Sequence, residues 1–487
     1  MCALVPAASL GEVRSFKVTT DKTVDASSLE SIVRDVFARS QPKTNDEKAI
    51  AIYEYLHTTI FHHAYPTELA PHSVGPLKAI NAYGWSLCGG QHTILKALYE
   101  TVGWECRYVG WPGHTTVEVF YDGRWHYLDV FLKCYFWSKD KSHIAGQEEI
   151  AQDPSIVLDA VKDGRASRQN LCCDDTPDVP ADIVHCCKVR NVVGNAKGWA
   201  AVTWRDESYS PLLNLPAGAS LRLDWKAAPD GSVVKDKRPQ HSCGIKDFCG
   251  DKVLGPLLEH YGPRNWSNGV LVYAPDFSKP GDVAELRLTD AAVKDGKLAA
   301  DGKGAAVFKL PLPYPYVRAR FDPVFEGGEG KVYVSTDAGK NWEPTPVGDF
   351  SDKVKQKYDV WIKVEFPGAL AKVRLDAVVE HNRGALPYLV PGKNVVTVSV
   401  GKGELLKKRV LTVTYVYQEA TVPAPERRLR FDGRDITYGA IRRVTKEISS
   451  APFSYVIGVG GNTPPKMISR LQSSGWNSEK DTPCFVM

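Results

Sequence analysis

Three residues of this chain, Cys88, His114 and Asp129, have the types and spacing for nucleophilic chemistry. A thiol attacks a carbonyl well only when it is partly ionised and a base stands beside it. Cys88 lies in Gly84-Trp85-Ser86-Leu87-Cys88-Gly89-Gly90-Gln91, a close-approach turn that opens into a run with helical spacing at Ile94, Leu95, Leu98 and Val102. The N-terminus of that helix favours thiolate, and its free N–H groups can receive a developing oxyanion. Tyr83, Trp85 and Gly89 are the expected lining of the pocket in front of the sulfur.

The base and its orienter are expected on a hairpin. Residues Thr115 to Tyr121 and Arg124 to Phe131 alternate with period two around Asp122-Gly123, a strong two-residue turn. With that turn, Tyr121 pairs with Arg124, Phe120 with Trp125, Glu118 with Tyr127, Thr116 with Asp129 and His114 with Phe131. Directly opposed residues share a face, so His114, Thr116, Tyr127 and Asp129 lie on one side and Val117, Val119, Leu128 and Val130 on the other. His114 and Asp129 become diagonal neighbours, roughly 7 Å apart by backbone. The carboxylate can then hold one imidazole nitrogen and turn the other to the thiol, as an orienter, base and nucleophile require.

Rivals to this set are few. His92 lies one helical turn after Cys88 on the same face but has no carboxylate placed by a hairpin. His126 falls on the opposite face of the hairpin and takes no role. Glu118 shares the active face but reads as structural, and Cys106 and Cys134 read as a bridge or as core thiols.

The elements around these residues follow from periodicity. Ser27 to Ala38 and Asn45 to Ile60 carry apolar residues at helical spacing, the second opened by Asn45-Asp46-Glu47 as cap and first turn. A third helix runs from Cys88 to Gly103, and strands follow from Arg107. Helices and then an antiparallel sheet give an α+β domain over residues 27–150. Residues 1–26 read as an N-terminal segment and 151–194 as a cysteine-containing connector with a helix near Ile150 to Val161. Short strands separated by turns then predict β-rich sandwich domains over 195–310 and 311–425, and 426–487 a tail. Tyr358 to Phe366 and Ala371 to Val379 read as two separate strands. Ser335-Thr336-Asp337-Ala338-Gly339-Lys340-Asn341-Trp342 resembles the Asp-box of sialidases, a structural turn rather than a catalytic one.

The three motifs in this order, ending in Gly123-Arg124-Trp125-His126-Tyr127-Leu128-Asp129, resemble the transglutaminase-like superfamily over roughly residues 27–150. The resemblance implies a papain-like fold with Cys88 as nucleophile, His114 as base and Asp129 as orienter, in bacterial multidomain members with C-terminal β-sandwich regions. It implies thiol-dependent hydrolysis of an amide bond in a peptide, isopeptide or cell-wall polymer, or acyl transfer to an amine by the same chemistry. A third expectation is a glycan- or cell-wall-binding protein whose thiol domain has lost activity. Crosslinking members use a Trp upstream of the Cys for the oxyanion. Trp85, only three residues before Cys88, does not inherit that role. No metal or organic cofactor is implied.

The remaining features bear on partners and compartment. A net charge of +4 over 487 residues, with no stripe of Lys or Arg, argues against a dedicated nucleic-acid binder. No apolar run reaches the ~20 residues that a membrane-spanning helix needs. Met1 to Leu10 resembles the end of a secretory signal without its basic start, and Cys484 opens a C-terminal C-a-a-X pattern with no polybasic run before it. Of eleven cysteines, Cys172, Cys173, Cys186, Cys187, Cys243 and Cys249 are expected as a disulfide cluster, with zinc binding and free thiols as alternatives. Bridges and a signal-like start point to an extracytoplasmic or secreted protein, with the cytoplasm left open.

Overall fold

The fold was analysed in a computed structural model. The structure describes residues 13–62, 66, 68, 74–167, 179–194, 209–226, 266–400, 409–421 and 437–476. After a first strand, Val13–Thr20, that belongs to the β part, an α+β region follows, and the later described residues build a two-sheet β structure.

Local sequence explains the helices of the α+β region. Ser28 caps Leu29–Ser40, and Thr44 caps Asn45–Thr59 with Glu47 reaching back to the cap, so two otherwise orphaned N–H groups are satisfied at each start. The third helix, Cys88–Val102, ends at Gly103, whose φ of 97° gives the left-handed turn a helix C-terminus needs. Ile32, Val36, Ile52, Leu56, Ile94 and Leu98 point into one core with the inner face of a five-stranded antiparallel sheet. Its order is Cys134–Tyr135, Arg124–Asp129, His114–Tyr121, Glu105–Trp111, Asn191–Gly194.

That last strand corrects the expected connector. Helix Val179–Val189 buries Ile183, Val184 and Cys187 in the same core, and Asn191–Gly194 forms a sheet edge, so residues up to 194 belong to the α+β region. A helix with an apolar stripe must bury it somewhere, and the nearest open surface is this sheet. Cys186 and Cys187 carry free thiols, as does Cys106. The bridging expected of Cys186 and Cys187 is therefore absent. Cys172, Cys173, Cys243, Cys249, the signal-like start and the C-terminal pattern lie outside the described residues.

The β part is laid out differently from the two successive domains expected. A single strand of 24 residues, Asp359–Asn382, pairs with Lys297–Pro311, Tyr316–Glu326, Lys331–Ser335 and Trp266–Tyr273. Segments on both sides of residue 310 thus share one thirteen-stranded sheet. The expected break at Pro367-Gly368 is a bend within the strand. Gly368 adopts φ 74°, and a Cβ there would sit 2.6 Å from the Glu326 carbonyl, so only glycine lets the pairing continue. The supposed tail supplies Tyr438–Ile448 and Lys466–Trp476 to that sheet. Val13–Thr20 and Phe453–Val459 flank Gly392–Val400 in a second, four-stranded sheet. The two sheets enclose one apolar core. At the Asp-box-like turn, Asp337 accepts the N–H groups of Lys340 and Asn341, which fixes the turn as a structural device.

Buried polar contacts join the two parts. The Trp85 indole donates to Glu380 Oε1 at 2.9 Å, and Asn382 donates to the carbonyls of Thr59 and Ile80. Tyr83 and Tyr358 both donate to Glu68, which also pairs with Lys78 at 3.1 Å. Among the described residues, no helix is long and apolar enough to cross a membrane.

Candidate active site

Cys88 is the first residue of its helix, and its N-cap, Leu87, offers no side-chain acceptor to the first-turn N–H groups. The positive end of the helix is therefore uncapped at the sulfur. Cys88 is half-buried, while Gly89 and Gly90 behind it are buried.

Hairpin geometry supplies the partners. Asp122 and Gly123 both have positive φ, 49° and 78°, as the tight turn read from the sequence requires. The register is the expected one, with Glu118 opposite Tyr127, Phe120 opposite Trp125 and Tyr121 opposite Arg124. The second strand ends at Asp129 rather than Phe131. Asp129 Oδ1 accepts the N–H groups of Phe131 at 2.9 Å and Leu132 at 2.7 Å, and these bonds pull the chain out of the ladder. The other carboxylate oxygen meets His114 Nε2 at 2.8 Å and the Tyr127 hydroxyl at 2.9 Å. Asp129 is thus fully buried and saturated with donors.

His114 keeps Nδ1 without a nitrogen or oxygen partner, the atom available to the Cys88 thiol. Nδ1 makes no hydrogen bond in the structure, but the two side chains lie close enough for each to shift the other's titration. Burial opposes charge on His114, but the Asp129 carboxylate and the sulfur outweigh it and raise its pKa to about 9. Burial also disfavours the thiolate, but the charge on nearby His114, with the Thr115 and Gly89 N–H groups, carries the Cys88 pKa below the ordinary thiol range. Burial works against ionised Asp129 as well, yet the neighbouring imidazoles and the Leu132 N–H hold it far below the usual carboxylate range. The arrangement favours a thiolate–imidazolium pair oriented by a carboxylate.

Sequence reasoning weighed His92 as a rival base, and the fold brings it to the same carboxylate. Its Nδ1 lies 2.9 Å from the Cys88 carbonyl, which only accepts, so Nδ1 carries the proton. Its Nε2 lies 3.5 Å from Asp129 Oδ1, and its ring meets His114 edge-on at 5.5 Å. Burial above all keeps His92 neutral, with its pKa lowered to about 4. His92, His114 and Asp129 offer ligand atoms within 4.8 Å of one another, a set that fits a metal on residue type alone. Four hydrogen bonds already occupy the Asp129 oxygens, so its lone pairs are committed to the orienting role instead.

No protein-family model, curated protein or solved structure matches the chain. What the site can do follows from its geometry.

Two expected pocket residues are placed elsewhere. Tyr83 and Trp85 are fully buried, and their polar atoms are spent on Glu68 and Glu380 between the two parts of the molecule. Gly89 alone of the three sits at the sulfur. The walls come instead from Trp111 and Phe131, whose rings lie 5.5 Å and 5.0 Å from the His114 ring. Trp111 directly opposes His114 across the preceding hairpin, a position readable from the Pro112-Gly113 turn. Tyr127 was likewise readable, two residues before Asp129 on one face. Gln147 had no such signal. It accepts the Trp111 indole N–H at 2.8 Å and donates to Thr116 at 2.8 Å, and tertiary packing brings it there. His126 stacks on Tyr121 at 3.7 Å, and Glu118 pairs with Arg107, both structural as expected.

Proposed function

We propose that the α+β region is a papain-like domain of the transglutaminase-like kind, and that the protein hydrolyses an amide bond through a Cys88 thioester. The observation that carries this reading is the 2.8 Å bond from His114 Nε2 to buried Asp129, with the other face of the imidazole turned to a thiol at a helix N-terminus. The thiolate adds to the carbonyl carbon, and the His114 imidazolium gives its proton to the departing amine. Neutral His114 then takes a proton from water, which attacks the thioester and frees the acid. A peptide, an isopeptide or a cell-wall amide fits this chemistry, in an extracytoplasmic setting.

A thiol-directed activity probe tests it. Wild type should label at Cys88, Cys88→Ala should lose labelling, and His114→Ala should label at least about 100-fold more slowly at neutral pH. Undiminished labelling of Cys88→Ala would remove Cys88 as the nucleophile.

One observation favours acyl transfer as a second reading. Trp111 and Phe131, each under a tenth exposed, wall the imidazole with apolar surface that restrains water. Mass spectrometry of a Gln-containing peptide incubated with a small amine separates the two outcomes. A free acid supports hydrolysis, and an amine adduct supports transfer.

A further inference from the structure

We propose that the space between the two β-sheets holds a small monovalent anion, of halide size, against Arg470. Arg470 is 3% exposed, and two of its N–H groups, at Nε and Nη1, have no hydrogen-bond partner. Among the described residues, no carboxylate forms an ion pair with it. A guanidinium cannot discharge itself by losing a proton, and an uncompensated buried charge is strongly destabilising. Something negative must therefore face it.

The surroundings are built for such an ion. Register places Arg470 opposite Leu223 on one side and Tyr415 on the other, so its side chain shares a sheet face with buried Leu223 and Tyr415. Two residues on, Gln472 shares that face, is wholly buried, and has neither its amide oxygen nor its amide nitrogen hydrogen-bonded. From the facing four-stranded sheet, Tyr455 brings a buried hydroxyl that is also unpaired. His381 packs on Tyr314 at 5.7 Å, and burial, with Arg470 and Arg383 nearby, keeps its ring neutral, so it adds no second positive charge. The cation therefore shares its sheet face with an unpaired amide, and the facing sheet carries an unpaired phenol.

A cavity of about 50 Å³ reaches Arg470 and Tyr314. That space admits a small ion. The one acidic residue on its wall, Asp25, is already paired with Lys17 at 2.5 Å and approached by Arg34. It is not available to neutralise Arg470.

Bromide is the probe. Crystals of the full chain soaked in sodium bromide should show an anomalous peak within hydrogen-bond distance of the Arg470 guanidinium. In solution, replacing gluconate by bromide at constant ionic strength should raise the unfolding midpoint of the wild type by a few degrees, as expected of any ligand bound only by the folded state. Arg470→Met should remove both the peak and the bromide dependence. Gln472→Leu, which leaves the cation in place, should weaken the dependence and keep the peak. A cavity holding water alone, with no anomalous signal beside Arg470 and equal midpoints in the two salts, would overturn the proposal even if Arg470→Met failed to fold.

Discussion

At the scale of single residues, two histidines share one carboxylate, one of them also faces the thiol, and the three are driven in different directions. His114 gains a proton partner in Asp129 and is raised to about 9, while Cys88 is lowered, so the pair holds thiolate and imidazolium together over the range between. The rate of amide cleavage against pH should therefore be bell-shaped with its alkaline limb near 9, where His114 loses the proton owed to the leaving amine. In His114→Ala the Cys88 titration should move up into the ordinary thiol range, read by the pH dependence of alkylation. His92 works the other way. Its folded pKa of about 4 lies below the unfolded value, so below about pH 6.5 the unfolded chain binds the extra proton. Stability must then fall as pH drops from about 6.5 towards 4, by roughly 3 kcal/mol from this residue alone. His92→Gln should flatten that acid loss, measured as the difference between urea midpoints at neutral and acidic pH. An unchanged difference would show that His92 is not the group responsible. His114 contributes with opposite sign, since its stabilisation is complete below about pH 6.5 and lost as pH rises through 9.

At the scale of elements, the site depends on the turn that carries Cys88 being held from outside its own domain. Trp85, three residues before the nucleophile, is anchored by Glu380 on the 24-residue strand of the β part. Glu380→Gln keeps an acceptor for the indole and should cost less than about 1 kcal/mol. Glu380→Leu leaves a buried N–H unsatisfied and should cost about 1–3 kcal/mol. Only the second should also slow labelling of Cys88, because the anchor sets where the helix begins. Equal labelling in the two variants would mean that the helix fixes Cys88 without help. The Asp122-Gly123 turn and the register of Glu118 with Tyr127 were legible in the sequence, because each is decided by neighbours a few residues apart, whereas the cap expected at Asn45 falls one residue earlier, on Thr44. The end of the second strand at Asp129 was missed, since period-two alternation continues to Phe131 while the Asp129 side chain diverts the backbone.

At the scale of the whole molecule, the small sheet joins segments that lie far apart in the chain. Val13–Thr20 pairs with Gly392–Val400, which pairs with Phe453–Val459, so that sheet is complete only when all three are present. The α+β region is also incomplete by itself. Residues 27–194 expressed alone would expose Tyr83 and Trp85 and would lose the bonds from Tyr358 to Glu68 and from Trp85 to Glu380. That fragment should be digested by trypsin far faster than the same residues within the full chain. Equal resistance would show that the α+β region folds independently.

By itself the sequence determined that a helix opens at Cys88 and that a hairpin sets His114 and Asp129 side by side, because alternation and a two-residue turn act over a few residues. Tertiary structure decided the rest. It tied Trp85 and Tyr83 to Glu380 and Glu68, brought His92 to the other oxygen of Asp129, and drew Val13–Thr20, Phe453–Val459 and Asn191–Gly194 into sheets. The reason is physical. A strand's own pattern fixes which face is apolar, while its partner is chosen by whichever buried edge it can complete, and that edge lies hundreds of residues away.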